Sequence, residues 1–204
     1  MPPVTAFLIL ANVVVFGAEQ LWRPVLVGYF ALWPIGQFWA PEINSTVGFE
    51  PWQLITSAFL HENWQHILFN MFALYMFGGG VERFLGRLKY AALYFTAVLS
   101  SAVTQLIVVS WGDGMPVATL GASGGVFGVL LAFGWLFPKA RVTLIFPPIP
   151  MPAWLFVTVY GLIELGSGVI GTQSGVAHFA HLGGMVGAFA LLMLWRVQRP
   201  AISN

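Results

Sequence analysis

Long apolar runs separated by short polar gaps organise this chain from end to end. At a rise of 1.5 Å per residue, a helix crossing a hydrocarbon layer of about 30 Å needs about 20 such residues. The runs predict six spans: Val4 to Ala18 (extending toward Leu21), Trp64 to Val81, Tyr90 to Val109, Leu120 to Phe137, Met151 to Ile170, and Val176 to Trp195. Pro138 stops the fourth, Pro147-Pro148-Ile149-Pro150 precedes the fifth, and Arg196 ends the sixth. The first run lacks a basic leading region and a convincing small-residue cleavage site, so it reads as a span rather than a secretion signal.

Composition strengthens this picture. Of 204 residues, 58 % are hydrophobic and 7 % charged, against about 25 % charged in soluble domains. The fold class is therefore an all-α polytopic membrane protein, one domain over residues 1–204. A net charge of +1 gives no basis for nucleic-acid binding. Without cysteine there is no disulfide framework, thiol nucleophile or thiolate metal site. No cofactor is expected.

Charge position sets an orientation. Arg83, Arg87, Lys89, Lys139, Arg141, Arg196 and Arg199 follow the even-numbered spans, and only Arg23 lies on the other face. The positive-inside rule places both termini in the cytoplasm. The opposite face has the longest connection, Trp22 to about Asn63. Trp22, Trp33, Trp39 and Trp52 alternate there with Pro24, Pro34, Pro41 and Pro51. Amphipathic indoles favour the headgroup level, so this connection is expected to fold on or partly in the outer leaflet.

Several polar side chains fall within the apolar spans at a common depth. Ser123 precedes Phe137 by 14 residues and His181 precedes Arg196 by 15. Each therefore stands about 21–22 Å above the inner edge, or about 8–9 Å below the outer one. His66 and Asn70, four apart on one helical face, bracket the same level. None of these groups accepts lipid exposure cheaply, so all should face the bundle interior. Gly121 with Gly125, Gly124 with Gly128, and Gly183 with Gly187 form small-xxx-small pairs that let two helices approach closely. Ser123 and His181 can then meet at about 3 Å. Pro116 to Leu120 is expected to descend as non-helical chain, shielded by protein.

A serine beside a histidine in a water-admitting pocket points to acyl transfer. His181 takes the Ser123 proton as the hydroxyl attacks a carbonyl, then protonates the leaving amine. The Ser123 backbone N–H, His66 and Asn70 would hold the oxyanion. No acid is well placed to orient His181, and Asp113 lies too near the surface, so the pair reads as a dyad. His178, one turn nearer the surface, is a second candidate base and reads better as structural. Glu164 lies near the site's depth; hydrating the entrance, bonding a neighbouring helix and contacting the first connection all rank above a triad role.

These motifs resemble the rhomboid family of intramembrane serine proteases, in its compact bacterial form with six helices. The resemblance rests on Gly121-Ala122-Ser123-Gly124, Ala180-His181-Leu182-Gly183-Gly184 and His66-Ile67-Leu68-Phe69-Asn70. Trp52-Gln53 and Glu82-Arg83 also look like family signatures, with glutamine where arginine is usual. It implies transmembrane protein substrates, unwound near the outer surface and cut beside a small residue. It also implies contact with membrane lipids, residence in a bacterial inner membrane, and a gate formed by the fifth helix and the loop above the site. Gly121, Gly124 and Gly184 would support the site. Phe127 replaces the tyrosine often found one turn after the serine, keeping the ring that stacks on the catalytic histidine.

An inactive rhomboid-like protein that binds membrane segments is an alternative, although both Ser123 and His181 are present. A transporter path is disfavoured because no internal repeat pairs the two halves. A metal hydrolase lacks a His-Glu-x-x-His motif. Reporter fusions after Arg87 and after residue 204 should report a cytoplasmic location, and a fusion within residues 35–50 the opposite side; the reverse pattern would overturn the orientation.

Overall fold

The computed structural model describes residues 1–110, 117–143, 148–170 and 177–197. Asp113-Gly114-Met115-Pro116, Pro147, Val176 and Arg199 lie outside the described residues. Among the described residues, three helices are long and apolar enough to cross a membrane: α1 (Pro3–Phe30), α5 (Arg87–Ser110) and α7 (Ala153–Ile170). Two shorter apolar helices are α6 (Ser123–Leu136) and α8 (His178–Leu194). Between α1 and α5 run a short α2 (Gln53–Thr56), α3 (Trp64–Ala73) and α4 (Gly79–Leu85), with a π-helical stretch at Leu74–Gly78 joining the last two. The chain is thus an all-α, multi-span membrane protein.

Two three-residue hairpins are its only described strands: β1 (Phe38–Ala40) with β2 (Ser45–Val47), and β3 (Arg141–Thr143) with β4 (Pro150–Pro152). Both are antiparallel, Trp39 facing Thr46 and Val142 facing Met151. The first span is longer than its hydrophobic run suggested. Trp22, expected to open the outer connection, lies inside α1 at a kink (φ −130°, ψ 28°). Pro24 follows within the helix. Lacking an N–H and crowding the preceding turn, proline bends the helix without ending it, and α1 continues to Phe30.

The core follows from the helical period. On α5, Tyr90, Leu93, Tyr94, Ala97 and Ser101 are buried at three- and four-residue spacing, forming one continuous stripe. Against it pack Val126, Val129 and Ala132 of α6, Ala188 and Leu192 of α8, and Leu8 and Phe16 of α1. Helix α6 is buried on nearly every side, so it is the centre of the bundle. Helix α7 is peripheral: Ala153, Val157 and Glu164 are its buried residues.

Two polar devices tie the amino-terminal half together. The N-terminal turn of α1 has no side-chain cap of its own. Glu82 of α4 supplies one, accepting from the Val4 N–H (2.9 Å), the Thr5 N–H (2.7 Å) and the Thr5 hydroxyl (2.7 Å). A carboxylate suits a helix N-terminus because unpaired N–H groups and the helix dipole both favour negative charge there. In the connection that follows α1, the buried Gln53 amide accepts from the Trp33 N–H and donates to the Gly48 and Tyr29 carbonyls. The Trp52 indole donates to the same Tyr29 carbonyl (3.0 Å), and the Trp33 indole to Val27 (3.1 Å). These tryptophans therefore help hold the connection to the end of α1.

Glu82→Ala should lower unfolding free energy by about 2–4 kcal/mol, since it strips three charge-assisted bonds from one buried end. Thermal unfolding in detergent measures this, and an unchanged midpoint would remove Glu82 as the cap.

Candidate functional site

Glycine decides how closely α6 and α8 approach. A Cβ on Gly184 would collide with the Gly124 carbonyl oxygen, and one on Gly128 would lie 3.2 Å from both the Gly184 carbonyl oxygen and the Ala188 methyl group of α8. Gly183 and Gly187, expected from their spacing to open the same seam, instead face Thr104 and Ser100 of α5. With only hydrogens in the seam, the two backbones touch. Ser123 stands at the start of α6 and His181 one turn into α8, on either side of this contact. The Ser123 hydroxyl lies 2.8 Å from His181 Nε2. Both residues are half-buried, so the contact is neither sealed in the core nor spread on the surface.

The chain enters α6 without helical structure at Val117–Leu120. Leu32 and Thr119 exchange two backbone bonds of 2.8 and 2.9 Å, which pin this stretch to the end of α1. Gly121 then adopts φ +132°, where side chains are strained, and a Cβ there would lie 2.7 Å from the His66 ring. Its N–H donates to the Ser57 carbonyl at 2.9 Å. Glycine is required here on both counts.

His66 flanks the serine from α3. Asn63 caps that helix by accepting the His66 N–H at 2.8 Å, and Asn70 donates from its side chain to the His66 carbonyl at 3.0 Å. The Glu62 N–H points at His66 Nδ1 at 3.5 Å. A donor at Nδ1 leaves the imidazole proton on Nε2, and Nε2 is the nitrogen beside Gly121. Phe127 stacks on His181, centroids 4.4 Å apart and planes within 9°. Tyr160 of α7 packs behind Phe127 at 5.5 Å.

The structure corrects the sequence reading at the far side of His181, where no acid was expected. Glu164 Oε2 lies 2.9 Å from His181 Nδ1 and 2.7 Å from His178 Nδ1. With the carboxylate accepting at Nδ1, the His181 Nε2 lone pair faces the serine hydroxyl. The arrangement can take a proton from Ser123. Glu164, His178 and His181 could also each offer one ligand atom to a metal ion, those atoms lying within 4.8 Å of one another. The two imidazole–carboxylate hydrogen bonds already account for their grouping. A groove lined by Gly80, Arg83, Phe84, Phe133, Phe137 and Ala140 includes none of these residues.

Residues 48–197 match the Rhomboid domain, an interval that contains every site residue above. The chain belongs to the rhomboid family. It is 34% identical over 148 residues to Rhomboid protein 1, mitochondrial, of Saccharomyces cerevisiae, covering 71% of this chain and 39% of that protein. It is 33% identical over 150 residues to Rhomboid protease AarA of Providencia stuartii, covering 66% of this chain and 52% of that protein. The chain thus spans roughly two fifths to one half of these relatives.

Sequence reasoning about this rhomboid chain missed a second buried histidine. His61 is fully buried, its N–H donates to Glu19 Oε2 (2.9 Å), and its carbonyl accepts from Arg23 (2.8 Å). Arg23 also pairs with Glu19 at 3.1 Å. The His61 ring meets His66 edge-on at 5.1 Å. The signal was present as an acid and a base four apart on α1, at Glu19 and Arg23, near an otherwise unassigned histidine.

Burial, reinforced by neighbouring His66, lowers the His61 pKa from 6.5 to about 3. Folded His61 is therefore neutral where the unfolded chain's histidine gains a proton, so stability falls as pH drops from about 6.5 toward 3. Between pH 7 and pH 5 this removes about 2 kcal/mol. His61→Gln should flatten the pH dependence of the unfolding midpoint; an unaltered slope would show that His61 is not responsible.

Proposed function

We propose that this chain is an intramembrane serine endopeptidase, cutting peptide bonds in or near transmembrane segments of other membrane proteins. The observation that supports it most directly is the 2.8 Å approach of the Ser123 hydroxyl to His181 Nε2 from two separate helices. Family membership adds independent support, since a matching relative is itself named a rhomboid protease. In the proposed architecture six segments cross a bacterial inner membrane, with both termini cytoplasmic and the site opening toward the outer face. The continuous helical chain from Trp64 to Leu85 would be the second span, and α6 and α8 the fourth and sixth.

The reaction divides into acylation and hydrolysis. His181 accepts the Ser123 proton as the oxygen bonds to the scissile carbonyl carbon. The carbonyl oxygen becomes an oxyanion near the Ser123 N–H, the Asn70 amide and the proton-bearing Nε2 of His66. His181 then gives its proton to the departing amine as the C–N bond breaks, leaving an ester on Ser123. Water, activated by the same imidazole, cleaves the ester. Because Ser123 begins α6, its N–H is one of those a helix leaves unpaired, and so is free for this work. Phe127 supplies a flat apolar wall that fixes the imidazole plane.

Ser123→Ala or His181→Ala, purified into lipid vesicles with a model transmembrane substrate, should each reduce turnover by roughly 10³-fold or more. His66→Ala and Asn70→Ala should each slow acylation by roughly 100-fold while the protein remains folded. A fluorophosphonate should label Ser123 alone, as located by peptide mass analysis. Full turnover by Ser123→Ala would overturn the proposal.

A further inference from the structure

We infer that Glu164 is a positioning residue for the His181 base and that His178 holds its carboxylate in place, so that the site works as a linked acid–imidazole–serine relay. This rests on the protease reading above and adds to it a group on a different helix. Three observations converge. Glu164 is one of the few buried residues of α7 and its only buried ionisable one. Its Oε2 meets Nδ1 of both His181 and His178, at 2.9 and 2.7 Å. The two histidines stand one turn apart on α8, their rings nearly perpendicular at 85°.

The chemistry follows from the tautomers. An ionised carboxylate only accepts, so both histidines must present Nδ1–H to it. For His181 that choice directs the Nε2 lone pair toward Ser123 Oγ. Without an acceptor at Nδ1, the proton could sit on Nε2, where the imidazole cannot act as base. During acylation the Oγ–H bond breaks, the Nε2–H bond forms, and the positive imidazolium lies beside the Glu164 carboxylate. Glu164 takes no proton at any step; it supplies a fixed negative charge opposite the one that develops. His178 gives the carboxylate a second strong donor, which restricts its rotation. That restriction matters on α7, which has few other buried side chains to locate it.

Two readouts test the inference. In lipid vesicles, Glu164→Gln should lower kcat roughly 10- to 100-fold and leave KM within about twofold, because it removes an interaction that strengthens in the transition state. His178→Gln should lower kcat by a smaller factor, and Glu164→Asp should recover part of the lost rate. Independently of turnover, ¹⁵N shifts of histidine-labelled Ser123→Ala protein should show His181 carrying its proton on Nδ1. Adding Glu164→Gln should mix the two tautomers while the unfolding midpoint stays within a few degrees. Wild-type kcat in Glu164→Gln would overturn the inference, as would an unchanged His181 tautomer or loss of rate only in parallel with loss of fold. The ¹⁵N measurement involves no proteolysis, so it separates failure here from failure of the protease reading, which full activity in Ser123→Ala would reveal.

Discussion

The seam between α6 and α8 admits no side chain at Gly184, because a Cβ there would overlap the Gly124 carbonyl oxygen. In a bundle surrounded by apolar lipid, hydrophobic burial does little to draw helices together, and close backbone packing has to supply much of the attraction. The glycines serve that purpose and at the same time set the distance between two chemical groups. Ser123 adjoins Gly124, and His181 lies three residues before Gly184. Contact between the backbones therefore brings hydroxyl and imidazole to hydrogen-bond range. A larger residue in the seam would separate them by roughly the width of the added group.

Around this seam, charged groups are handled by one repeated solution. Each buried carboxylate binds donors from a segment distant in sequence. Glu82 caps α1, Glu19 holds the backbone at His61, and Glu164 binds the two α8 histidines. An unpaired carboxylate in an apolar bundle would be expensive, so each becomes a clamp between elements that otherwise share mainly apolar contact. Glu82 and Glu19 brace α1 against the α2–α4 region. Glu164 does the same between α7 and α8, and its clamp includes the imidazole that meets Ser123.

The non-helical entry to α6 is the second geometric requirement of the site. Gly121 takes a backbone conformation that side chains resist, and the His66 ring occupies the space where its Cβ would be. The entry is held by backbone bonds to Leu32 and Ser57. The connection between α1 and α3 therefore fixes the turn that places the serine at a helix start. The Gln53 amide and the Trp33 and Trp52 indoles hold that connection to α1.

Much of this was legible in the chain itself, because its signals are local. Apolar runs of spanning length, Gly124 next to Ser123 and Gly184 three residues past His181, and the four-residue step from His66 to Asn70 all depend on helical rise and period. The extension of α1 past Trp22 was hidden because a proline within a helix and a proline after one look alike in sequence. The partner of Glu164 was hidden for a different reason. Which way a lone acid faces on a sparsely buried helix depends on the rotation of that helix against its neighbour, and no periodic pattern of polar residues on α7 reveals it. Pairing an acid on one helix with two imidazoles on another is a property of how the helices dock, so only the tertiary structure could decide it.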